Sequence, residues 1–245
     1  VDVNEAIRKE CLRRGYSERT IETYQDCVKK FLEFTGKTID KLGKKDVLDF
    51  LYSLDEKNYA GSSKHVYLNA VRFLLEDILD KRIKLNIKYS RVPERLPRVL
   101  TKEEVKLLIG KIQNWKHRLM IELLYGAGLR TSELLNLKIK DLNIYKSYGF
   151  VRAGKGNKDR MFIIAESLKD KIKELIKNEG LQNEDNLFLT NRREKYSPRS
   201  LQEIVKKSSC LAGISGVHCH TLRHSFANHL IEQGQSVSEV QSLLG

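Results

Sequence analysis

The chain has 245 residues, 40% of them hydrophobic, with 45 Lys and Arg against 32 Asp and Glu for a formal net charge of +13. That length and hydrophobic fraction suit one large or two modest folded domains and exclude disorder throughout. No apolar run is long enough to cross a bilayer, and Val1-Asp2-Val3-Asn4-Glu5 lacks the layout of a signal peptide, so neither a membrane span nor secretion is supported.

Four cysteines, Cys11, Cys27, Cys210 and Cys219, are too few and too irregular for a disulfide framework, so a reducing cytoplasm is the expected setting. Twenty basic and 16 acidic residues precede Pro97, and 25 and 16 follow it. Both parts are basic, the second more so, which fits a nucleic acid, an anionic membrane surface or a merely solvated face.

In chain order, residues 1–89 carry helical patterns. Ser17 is placed to cap a helix with Ile21, Tyr24, Val28, Phe31 and Leu32 on one face, and Ser63 another with Val66, Ala70, Val71, Leu74 and Ile78 aligned. The opposite faces offer Arg19 and Lys30, then Lys64 and Arg72, as donors to phosphates, although solvated faces look the same. Pro93 and Pro97 lie in the basic stretch 90–98, which includes Arg95 and is expected to be an extended linker that could lie along a polyanion.

From residue 99 onward Thr101-x-x-Glu104 is a capping box, and the apolar run Leu119–Tyr125 ends at Gly126-Ala127-Gly128. The period then changes. Leu142–Ile144, Gly149–Arg152 and Arg160–Ile164 read as short strands, the last two flanking Gly154-Lys155-Gly156-Asn157-Lys158 as a hairpin turn. Helices are expected again near Ser167, after Ser197-Pro198, near His220, and after Ser236-x-x-Glu239. The fold class is therefore mainly α with a small antiparallel β-sheet: a helical N-terminal domain (1–89), a linker (90–98) and a mixed α/β domain (99–245).

Several chemistries lack their motif here. There is no phosphate-binding P-loop, no Gly-x-Ser-x-Gly, no His-Glu-x-x-His and no cluster of Asp for two-metal catalysis. Cys210, His218, Cys219, His220, His224 and His229 crowd together without the paired-ligand spacing of a zinc site, so no metal is expected. His220 and Arg223, at i and i+3 of a helix start, share a face and could serve a pentacoordinate phosphate, the arginine holding oxygens and the histidine exchanging a proton. Alone, the pair is a weak signal, because a structural histidine beside a surface arginine is the commoner arrangement.

Two further segments bear on that pair. Gly126-Ala127-Gly128-Leu129-Arg130-Thr131-Ser132-Glu133-Leu134-Leu135-Asn136-Leu137 sets an arginine where a turn meets a helix, and the hairpin offers Lys155. With these residues the chain resembles the tyrosine recombinase (phage integrase) family, its Xer-type members most closely, from about Ser17 to Gly245. The resemblance implies that Arg130, Lys155, His220 and Arg223 are catalytic. It also implies that a tyrosine attacks a DNA phosphodiester, forming a 3′-phosphotyrosyl link and freeing a 5′-hydroxyl, without ATP, metal or other cofactor. Lys158 and Arg160 would be phosphate contacts, like Arg19, Lys64, Arg72 and Arg95. Glu133 would orient Arg130 or remain a solvated helix acid. Double-stranded DNA is the implied partner, with protomers assembling as a tetramer on paired sites, for chromosome dimer resolution or element integration.

One departure stands out. The family pattern continues past Leu243-Leu244-Gly245 to a His or Trp and then the nucleophile, and neither is among these residues, so the catalytic domain is expected to be C-terminally incomplete. Tyr196, the last tyrosine, precedes the His220 segment in an expected loop and is a poor nucleophile. A non-cleaving DNA-binding or decoy protein on the same fold is the rival reading. An RNA-binding helical protein is a third, lacking the aromatic sheet of single-strand recognition.

Overall fold

The computed structural model describes residues 2–81, 96–152 and 159–245. The chain divides into two compact units, Val1–Arg95 and Leu96–Gly245. The expected turn at 154–158, and with it Lys155 and Lys158, lies outside the described residues, as does Arg95.

The first unit packs helices α1 (Val3–Arg13), α2 (Glu18–Thr35), α3 (Lys44–Glu56) and α4 (Gly61–Arg72). Ser17 caps α2, its hydroxyl accepting from the Thr20 amide at 3.3 Å, and Gly36 ends it in the left-handed region. Ile21, Val28 and Phe31 are buried, with Tyr24 and Leu32 packed beside them.

Helix α4 departs from the sequence reading. It begins at Gly61 behind an uncapped Ala60, so Ser63 lies inside it. Val66 is exposed while Tyr67, Leu68, Ala70 and Val71 are buried. The Tyr67 ring takes the inward position and its hydroxyl accepts from Lys30 Nζ at 3.2 Å. Beyond Arg72 the backbone widens to i→i+5 bonding over Phe73–Ile78, which lets Phe73, Leu74 and Leu75 all enter the core. The Lys81 ammonium then donates to the carbonyls of Ile39, Asp40 and Leu42 at 2.7, 2.8 and 2.9 Å, closing the 3₁₀ turn Ile39–Lys41.

The second unit is mixed. Helix α5 (Lys102–Gly110) opens on the expected capping box, Thr101 Oγ1 accepting from Glu104 N at 3.1 Å and Glu104 Oε2 from Thr101 N at 2.9 Å. Helix α6 (Trp115–Gly126) is the centre of the core, burying Leu119, Met120, Ile121, Leu123 and Leu124. Even its Lys116 is buried, donating to the Leu189 carbonyl at 2.9 Å and paired with Glu179. After the short α7 (Thr131–Asn136), strands β1 (Leu142–Asn143), β2 (Tyr148–Val151) and β3 (Arg160–Ile163) form an antiparallel sheet in that order. Val151 pairs with Arg160, and Gly149 pairs with Phe162. A Cβ at Gly149 would fall 2.4 Å from the Phe162 ring, so the ring occupies the space a side chain would need.

Helix α8 (Glu166–Glu179) starts near Ser167 as expected, behind an Ala165 that makes no side-chain cap. Ser197 and Pro198 open α9 (Pro198–Leu211) as expected, Ser197 Oγ accepting from Ser200 N at 3.0 Å. Helix α10 (Cys219–Glu232) and helix α11 (Val237–Leu244), capped by Ser236, complete the described part. Among the described residues the cysteines are free, no side-chain group suits a metal ion, and no helix is long and apolar enough to cross a membrane.

Candidate active site

The site grows from the break between α6 and α7. Gly128, at φ +57°, turns the chain in a conformation that costs a residue bearing a Cβ about 1–2 kcal/mol. It is also sterically closed, since a Cβ there would meet the Phe226 ring at 2.5 Å. The turn delivers Arg130 to the N-cap of α7, and Glu133, one turn later, reaches back so that Oε2 accepts from the Arg130 amide at 2.8 Å.

Glu133 is no solvated acid. Its side chain is 3% exposed and is surrounded by three guanidinium groups. Arg130 Nη1 donates to Oε1 at 2.7 Å, Arg160 Nη2 donates to Oε2 at 2.6 Å, and Arg223 Nη1 stands 3.6 Å from Oε2. The arginines also donate to backbone: Arg223 to the Gly128 and Leu244 carbonyls, Arg160 to Leu243 and Arg130 to Gly245, all at 2.6–2.7 Å. Three cations around one carboxylate leave the cluster with a local charge of +2, an electrostatic seat for a phosphate.

Burial and positive neighbours set the ionisation of this cluster. Burial, followed by repulsion from Arg130, lowers the Arg223 pKa to about 10, which leaves it charged at neutral pH. Burial pushes the Glu133 carboxyl up, but the Arg130 amide and the Arg160 and Arg130 guanidiniums outweigh it and hold the group below its ordinary value. His220 opens α10 one turn before Arg223. Burial, then the charges of His224, Arg223 and Arg130, lower its pKa and favour the neutral ring that can take a proton. Beside it lies a cavity of about 710 Å³ lined by Arg98, Thr131, Lys206, His218, His220 and His224.

The structure thus brings Arg130, His220 and Arg223 together. Arg160, expected as a phosphate contact, joins them instead from β3, with its side chain 8% exposed and two of its nitrogens engaged by Glu133 and Leu243. In the first unit Arg19 is exposed, Lys64 is paired with Asp55, and Arg72 lies 3.7 Å from Glu76. Tyr196 lies outside the cluster's bonds, its hydroxyl 3.3 Å from His117 Nε2.

A buried carboxylate gathering three arginines, on a mainly helical unit with a small sheet, suits an anionic phosphate, and comparison with known proteins gives the class of the protein. The model of the phage integrase family matches residues 98–245, and that of the phage integrase N-terminal SAM-like domain matches residues 4–85. The chain belongs to the phage integrase family, the tyrosine recombinases. It is 38% identical over 236 residues to the tyrosine recombinase XerA of Pyrococcus horikoshii, spanning 94% of this chain and 80% of that protein. It is 30% identical over 256 residues to the tyrosine recombinase XerD of Oceanobacillus iheyensis, spanning 96% of this chain and 86% of that protein. Among solved structures, the pre-cleavage complex of XerH site-specific recombinase bound to its difH substrate superposes with a TM-score of 0.78 at 25% identity, covering 99% of this chain and 78% of that one.

Proposed function

We propose that this protein is a site-specific recombinase of the Xer type that cuts and rejoins duplex DNA through a 3′-phosphotyrosyl intermediate. The observation that carries the reading is the Arg130–Glu133–Arg223 cluster with His220 at its edge. On this reading Arg130 and Arg223 neutralise the charge that builds on the non-bridging oxygens in the transition state, and neutral His220 assists the proton leaving the nucleophile. Lys155 protonates the departing 5′-oxygen, the role its match to the family assigns. Arg19, Lys64, Arg72, Arg95 and Lys158 contact the DNA backbone, and protomers associate on paired sites. The energy of the broken phosphodiester is kept in the protein–DNA link, so the rejoining step needs no ATP.

None of the tyrosines described here is in the bonds of the cluster; Tyr125 is held by His229 and Tyr196 by His117. On this reading the attacking tyrosine is therefore none of those among the described residues. A nicked suicide duplex tests both points on a denaturing gel. The 245-residue chain should bind it without a covalent band, and a chain that includes the attacking tyrosine should form the band and lose it on Arg130→Ala. A band mapped to Tyr196 would overturn the assignment of the nucleophile. Absence of any band from the longer chain would favour the non-cleaving reading, which the buried cluster argues against, since backbone binding alone needs no arginines fixed on an inner carboxylate.

A further inference from the structure

The last turn of α6 carries a contact that the proposed chemistry does not use. The Tyr125 hydroxyl lies 2.8 Å from His229 Nδ1, with the rings 5.8 Å apart and crossed at 75°. His229 is buried, and burial pushes the Tyr125 phenol up, keeping its proton in place. Tyr125 stands five residues before Arg130, and His229 stands six residues after Arg223.

Between these ends the same two stretches touch twice more. Phe226 packs edge-on against Tyr125, centroids 6.5 Å apart, and fills the space over Gly128. Arg223 Nη1 donates to the Gly128 carbonyl at 2.6 Å. Arg223, Phe226 and His229 follow one another at three-residue steps along α10, so three contacts register one stretch of chain against one helix. That stretch, Tyr125-Gly126-Ala127-Gly128-Leu129-Arg130, has two glycines and would otherwise have many conformations to choose from.

We propose that the Tyr125–His229 hydrogen bond is a positioning contact that sets the placement of Arg130 relative to Arg223. Arg130 is carried by the stretch and Arg223 by the helix, so the bond at the far end fixes how the two slide past each other. It rests on the reading of Arg130 and Arg223 as the arginines of the reacting phosphate. Tyr125 and His229 bond to each other and not to Glu133, Arg130 or Arg223, so their proposed action is through the backbone. Misplacement of a reacting group by about 1 Å costs on the order of 100-fold in rate, so a partial slip should be visible in the chemical step.

The test is single-turnover cleavage of the nicked duplex at saturating DNA, in a chain that includes the attacking tyrosine. Tyr125→Phe removes the hydroxyl and keeps the packing. It should lower the cleavage rate about tenfold, with the dissociation constant for duplex unchanged. His229→Leu should do the same, and the double variant should be no slower than either single one. His229→Asn, which keeps a polar atom near the position of Nδ1, should retain most of the rate, a rescue that loss of packing alone would not give. Circular dichroism at the assay temperature confirms that each variant is folded, and Arg130→Ala is run beside them. If Arg130→Ala abolishes cleavage while Tyr125→Phe stays within about twofold of wild type, the positioning role is refuted and the site stands. If the double variant loses the product of the single losses, the two residues do not act as a pair and the proposal likewise falls. If Arg130→Ala still cleaves, the reading of the site itself fails.

Discussion

Glu133→Gln isolates the centre of the cluster, because it removes one charge and almost no volume. The carboxylate accepts from the Arg130 amide, Arg130 Nη1 and Arg160 Nη2, and Arg223 is 3.6 Å away. A glutamine offers one acceptor oxygen and one donor group, so at least one of these donors would face another donor, and three guanidiniums would repel without a counter-charge. Removing one partner of a buried, hydrogen-bonded ion pair costs about 3–5 kcal/mol, which for a unit of this size lowers the melting temperature by roughly 10 °C. The chain has a single tryptophan, Trp115 on α6, so its fluorescence follows the unfolding of the second unit alone. The Glu133 carboxyl is held below its ordinary value, so its contribution is complete above the unfolded-state pKa and disappears as pH falls through the folded-state one. Wild type should accordingly lose stability on acidification below about pH 4.5, and Glu133→Gln should lack that part of the decline. A variant that melts within about 2 °C of wild type at neutral pH, with the same acid profile, would refute this account of the cluster.

Gly128→Ala should destabilise the same unit by more than the 1–2 kcal/mol of the left-handed backbone alone, because the new methyl collides with Phe226 and Leu244; an unchanged melting curve would show that the turn has another conformation available. Cleavage should lose rate on acidification only below the ordinary histidine range, as His220 takes up its proton, and His224→Ala, which removes a positive neighbour, should move that limb upward; a limb that does not respond would remove His220 from the proton path. Lys155→Ala should slow departure of the 5′-oxygen, and a substrate with sulfur at that position should restore much of the rate, so absence of rescue would refute the general-acid role.

Where a structural choice is local, the sequence was legible. The capping boxes at Thr101 and Ser236 and the Ser197-Pro198 start need only neighbouring residues, and the helices begin there. Helix α4 has no such cap, and its inward face is decided by where Tyr67 and the widened turn after Arg72 fit against α2, which periodicity could not supply. Arg130, His220 and Arg223 were legible through turn chemistry, helix spacing and family pattern together. Glu133 was left between two roles because its burial depends on Arg160, 27 residues away. Arg160 itself had an overlooked signal: in a strand it shares a face with Phe162, which is buried, whereas Met161 and Ile163 point outward. Tyr125 and His229, 104 residues apart, left no mark in either segment that points to the other.

The three carbonyls around the Lys81 ammonium bear on how strongly salt should weaken DNA binding. Counterion release counts the phosphates a protein neutralises, with a logarithmic slope of about −0.9 for each on duplex DNA. Lys81 is held by Ile39, Asp40 and Leu42, and Lys116 by Leu189 and Glu179. These cations already have partners inside the fold, so an arriving duplex frees no ions on their account. The salt slope should therefore be set by residues such as Arg19 that reach solvent, and should fall well short of what a net charge of +13 would give if every basic residue faced the DNA.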